Sequence, residues 1–192
     1  LGGEDYVIRP LPGDDPGVLL VGGGPLGVAY GMLELAGDVR LHRSYLASPV
    51  ERRSSPDFTL RMVSDPLDPR YPGPEQALRW GYNAVMTEPW PALALYDSLD
   101  PAIYDAAKYP EARAWVEAKR RQARQEVQQA KALHLQVIAP GDVISLPTQV
   151  AALYGAEVTD GVTGRYCIER PRTRALLAAA IDELFTAFPE VD

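Results

Sequence analysis

From Phe58 onward the chain alternates short apolar runs with helical patterns, and this rhythm constrains its fold more than any other feature. Phe58–Val63, Asn83–Thr87 and Leu135–Ala139 read as strands; Glu75–Trp80, Pro110–Leu133 and Pro171–Phe188 read as helices. Parallel strands need a crossover between them, and a helix supplies it, so the alternation predicts a parallel sheet. The connections are unequal. Long segments follow the strands, such as the Asp- and Pro-rich SDPLDPRYPGP (64–74) and the irregular Glu88–Tyr109. Helices return to strands through Gly81-Tyr82 and through His134 alone. That asymmetry suits a (β/α) barrel, whose site is built from loops at the strand carboxyl ends. A closed barrel takes about 250 residues, so about three βα units fit in this chain.

Ahead of this lies a different pattern. Tyr6–Pro10 alternates like a strand, Gly13–Gly17 (GDDPG) has turn chemistry, and Val18–Val21 is a short apolar strand. Pro25 suits a first helical position. The helix is expected to run through Met32, Leu33 and Leu35 and stop at Gly37, with a further strand at Val39–Leu41. The expected fold class is therefore α/β: a small, partial α/β domain over 1–46, a linker over 47–57 (ASPVERRSSPD), and the N-terminal part of a (β/α)8 barrel over 58–192. A short helix is expected at Leu146–Tyr154.

The turn between Val21 and the first helix holds Gly22, Gly24 and Gly27, the G-x-G-x-x-G spacing of a dinucleotide-binding loop. Two readings follow. In one, the glycines let a pyrophosphate approach the helix N-terminus, and the chain is an oxidoreductase using FAD or NAD(P). In the other, they only let a strand turn sharply into a helix packed on its own sheet. The fingerprint also calls for an acidic residue after the next strand, about 20 residues on, and this chain has His42 and Arg43 there. This favours the packing reading, with no cofactor.

Composition removes several classes. The net charge is −7, which argues against a nucleic-acid or anionic-membrane partner. No apolar run approaches the ~20 residues of a membrane span. Cys167 is the single cysteine, and the histidines are His42 and His134. No internal disulfide can form, no Cys- or His-rich metal site is expected, and a reducing compartment such as the cytoplasm is compatible. KRRQARQ (119–125) reads as a solvated helix face. Trp115 reads as a packing residue, and His134 and Cys167 as structural.

The residues also resemble a family. GGGPLGVAYGMLELAG is similar to the small α/β domain that precedes the catalytic barrel in α-glucuronidases and β-N-acetylhexosaminidases. Their G-x-x-Y-G-x-x-x-L pattern falls here on Gly27, Tyr30, Gly31 and Leu35. Ser55–Arg61 (SPDFTLR) resembles the entry into the first barrel strand, NAVMTEPW the second and LQVIAPGD the third. CIERPRTRALLAAAIDELFTAFPEVD resembles the helix before the fourth. The resemblance implies a glycoside hydrolase whose catalytic carboxyl groups lie beyond the end of this chain, so that this part alone is inactive. It implies a carbohydrate substrate, and a partner (the rest of the parent chain or another subunit) that completes the barrel. It also implies a sugar-binding Arg61, whose planar fork suits vicinal hydroxyls or a carboxylate. Glu88 and Trp90 after the second strand, and Asp142 after the third, are the other expected substrate-binding residues: Trp90 to stack a sugar face, the carboxylates to accept hydroxyl protons. A non-catalytic carbohydrate-binding module is the remaining alternative.

Overall fold

The structure, a computed structural model, describes residues 1–11, 17–42, 51–63, 73–86, 93–139 and 146–192. It is mixed α/β, with two small sheets. The chain divides into two compact units, Leu1–Val85 with Ala130–Gln136, and Met86–Gln129 with Val137–Asp192.

In the first unit, β1 (Tyr6–Pro10) pairs antiparallel with β2 (Val18–Gly22), Ile8 opposite Leu20. The helix α1 (Pro25–His42) follows β2. Tyr6 and Ile8, two residues apart, point to one face and are buried. Gly31 lies on that face, where a Cβ would run into the Leu20 side chain and stand 3.2 Å from the Tyr6 ring. A larger residue at 31 would have to push the Leu20 side chain aside.

Helix α1 does not stop at Gly37 as its residue type predicts. A mid-helix glycine costs about 1 kcal/mol, and side chains on either side of it offset that cost. Glu34 and Asp38, one turn apart, both pair with Arg52, Glu34 at 2.6 Å. Val39–Leu41 is therefore helical, not a strand. The third strand is instead β3 (Arg52–Ser54), within the stretch expected to be a linker. It pairs antiparallel with β1, giving the order β2-β1-β3.

The second sheet has the order β4-β5-β6. Here β4 is Met62–Val63, β5 Ala84–Met86 and β6 Gln136–Ile138. β4 and β5 run parallel, Met62 opposite Ala84 and Val63 opposite Val85. The strand expected over Phe58–Val63 is confined to its last two residues, because Phe58 is 71% exposed and the Arg61 backbone is tied to Asn83 instead. Helix α2 (Pro74–Arg79) lies between β4 and β5 in sequence, and α3 (Pro110–Ala132) between β5 and β6. α2 ends in a Schellman turn: Tyr82 N donates to Ala77 O and Gly81 N to Leu78 O, with Gly81 at φ +80°.

In the second unit, α4 is Thr148–Tyr154 and α5 is Pro171–Ala187. Val116, Ala123 and Val127 of α3 are buried, as are Leu176, Leu177, Ala180 and Leu184 of α5, at the spacing the sequence predicts. The KRRQARQ run is mostly solvated, but Arg120 pairs with Glu183 of α5. Trp115 is not a packing residue: it is 53% exposed. Among the described residues, no helix is long and apolar enough to cross a membrane.

Candidate functional site

The glycine-rich turn is filled by the chain itself. Asp5 O accepts from Gly23 N at 2.8 Å, and Gly3 O accepts from Gly27 N at 3.4 Å. A Cβ on Gly23 would overlap Gly2 O, one on Gly27 would overlap Asp5 O, and one on Gly24 would stand 2.7 Å from Gly3 O. The glycines thus admit the backbone of residues 2–5. As folded, the turn does not fit a pyrophosphate, which would have to displace that segment from the helix N-terminus.

The same segment carries Glu4 to Arg61. Arg61 stands immediately before β4, at its amino end, whereas parallel α/β sheets take ligands at the carboxyl ends. Its guanidinium donates through Nε to Gly81 O at 2.7 Å, through Nη1 to Phe58 O at 2.5 Å, and through Nη2 to Glu4 and to the Tyr30 hydroxyl. The buried Asn83 completes the bracket. Its Oδ1 accepts from Arg61 N at 2.8 Å, and its Nδ2 donates to Glu4 Oε1 and to Thr59 O, both at 2.7 Å. Of five guanidinium N–H groups, four act within the protein. Arg61 therefore clasps the start of β4 to α1 and the N-terminal segment.

Beside this clasp lies a cleft of about 520 Å³, with Glu4, Tyr6, Tyr30, Glu34, Arg61 and Trp80 among its walls. The Tyr6 hydroxyl donates to Glu34, and the Tyr30 hydroxyl to Tyr82 O at 3.0 Å. Burial, then the bond to Glu34, raises the Tyr6 phenol above its ordinary range, and burial does the same for Tyr30. Both hydroxyls stay protonated donors at neutral pH.

Glu88, Trp90 and Asp142 lie outside the described residues. In sequence, Glu88 and Trp90 follow the carboxyl end of β5, and Asp142 that of β6. Further along the segment after β5, Glu183 Oε1 accepts from Leu95 N at 2.9 Å and Oε2 from Tyr96 N at 2.7 Å. Tyr96 has φ +61°, is fully buried, and its hydroxyl has no hydrogen-bond partner among the described residues. Asp100 accepts from the Tyr154 hydroxyl and from Ala102 N at 3.0 Å, which with Arg172 nearby holds its carboxyl below the usual range.

Glu4, Asn83, Tyr30 and Trp80 carry this geometry and were not legible as site residues. The only sequence signal was the proximity of Tyr30 to the glycine string. Among the described residues, no group of His, Cys, Asp and Glu could hold a metal ion. No family model, curated protein or solved structure matches the chain.

Proposed function

We propose that the chain is part of a carbohydrate-active glycoside hydrolase of the α-glucuronidase/hexosaminidase type. In this reading β4, β5 and β6 begin a (β/α) barrel, and sugar binds over their carboxyl ends. The parallel pairing of β4 and β5, with α2 as its crossover, supports it most directly. This arrangement makes the segments after each strand the ligand-binding edge, and those segments carry Glu88, Trp90 and Asp142. Trp90 stacks a sugar face; Glu88 and Asp142 accept hydroxyl protons. Arg61 holds the first strand from below. Hydrolysis in such enzymes needs a carboxyl pair about 5–9.5 Å apart, and the residues named here have binding roles in this reading.

Calorimetric titration with nitrophenyl glucuronide and nitrophenyl N-acetylglucosaminide, beside FAD and NADPH, tests the reading. Saturable heat from a glycoside and none from a nucleotide is expected. Nucleotide binding with no response to either glycoside would refute it.

A further inference from the structure

The cleft beside Arg61 lies at the amino end of β4, away from the edge assigned above, and its chemistry is that of a ring-stacking site. Trp80 is 51% exposed on its wall. Its backbone caps α2 inside the Schellman turn, and its ring meets Tyr82 edge-on, centroids 6.3 Å apart at 80°. An exposed indole braced edge-on by a neighbouring ring presents a stacking face.

The cleft's polar groups are fixed. Glu34 is bonded by Tyr6 and Arg52, and Glu4 by Arg61 and Asn83. A carboxylate has about four acceptor sites, so each keeps acceptor capacity for a hydroxyl. Arg61 faces Glu4, Arg52 is shared between Glu34 and Asp38, and Arg79 stands at the same wall, so the cleft presents oriented acceptors with little net charge. Leu33, Leu78 and Pro56 supply apolar walls. Exposed Arg79 adds a donor fork at the same wall.

We infer that this cleft is a second carbohydrate-binding site, taking one neutral pyranose ring stacked on Trp80 with its hydroxyls donating to Glu34 and Glu4. An apolar ring face edged with hydroxyl donors matches an indole flanked by neutralised carboxylates. Among the described residues, Glu4, Glu34 and Asp38 are matched in charge by Arg52, Arg61 and Arg79, so the cleft does not select a bare ion. The inference rests on the carbohydrate reading above, and gives the protein a holding site separate from the one at the strand carboxyl ends.

The test follows the indole N–H resonances of the three tryptophans in the ¹⁵N-labelled chain during titration with methyl glucoside. The Trp80 resonance should shift saturably, with Trp115 unmoved. Trp80→Ala should lower binding to the cleft about tenfold, equivalent to about 1.4 kcal/mol. The exposed control Trp115→Ala should leave it unchanged, and Trp90→Ala should leave the Trp80 shift intact. A Trp80 resonance that does not respond overturns the inference. If Trp90 alone shifts, the barrel-edge reading stands and only the cleft falls.

Discussion

Replacing Gly27 by alanine asks whether the glycine turn exists to admit the chain's own backbone. In a helix, Gly→Ala ordinarily gains about 1 kcal/mol. Here the new Cβ would overlap Asp5 O and stand 3.1 Å from Asp5 C and 3.2 Å from Glu4 C, all backbone atoms. Residues 2–5 would have to leave the turn. That forfeits the Gly23–Asp5 and Gly27–Gly3 bonds and the hold of Glu4 on Arg61 and Asn83. Backbone bonds contribute about 1 kcal/mol each, and those to a charged group about 1.5–3. Taking the lower end of that range and subtracting the helix gain, the net loss is about 4 kcal/mol. Gly37→Ala, in the same helix with nothing within 4 Å, should gain about 1 kcal/mol. Urea unfolding followed by circular dichroism reads both. At a slope of about 2 kcal/mol/M, the midpoints should move down by about 2 M and up by about 0.5 M. If Gly27→Ala is as stable as the parent, residues 2–5 do not fill the turn, and a phosphate site there becomes tenable again.

Other substitutions test single features. Tyr96→Phe removes a buried hydroxyl that has no partner among the described residues, so it should stabilise by about 1 kcal/mol, raising Tm by about 2–4 °C; a lower Tm would show that the hydroxyl is satisfied. His134 sits at φ +60° in the turn that ends α3, and His134→Gly should gain about 1 kcal/mol in urea unfolding by relieving that strain; a destabilised variant would contradict it. Arg113 grips Asp97 through two bonds of 2.8 and 2.9 Å and lowers its carboxyl below the usual range. Because the folded value is the lower one, the stabilisation is present above the unfolded pKa of about 3.9 and disappears as pH falls through the folded value. Asp97 is part exposed, so Asp97→Asn should cost about 0.5 kcal/mol at neutral pH and nothing in strong acid. An equal cost at both pH values would assign the loss to something other than charge.

Sequence alone located the elements whose information is local. Pro25, Pro110 and Pro171 start α1, α3 and α5, because proline at a first helical position is a property of that residue and its neighbours. It failed where partners far along the chain decide. Gly37 looked like a stop signal, yet Arg52 binds Glu34 and Asp38 on either side of it. Arg52–Ser54 has the composition of a linker, and only pairing with β1 makes it a strand. Arg61 was legible as a residue of interest, but its role was not: its partners, Glu4, Tyr30, Phe58 and Gly81, come from four separate segments. The Trp80 cleft was hidden for the same reason. The glycine string was expected to serve a sharp strand-to-helix turn, and nothing in its spacing said that it would admit the backbone of residues 2–5.

The carbohydrate reading is most directly examined by saturation-transfer NMR on the intact chain with nitrophenyl glycosides. Transfer to the sugar protons is expected, reduced about tenfold in Trp90→Ala and in Asp142→Asn while the circular dichroism spectrum is unchanged. A folded chain that shows no transfer from any glycoside, or transfer indifferent to both substitutions, would contradict a sugar site at the strand carboxyl ends.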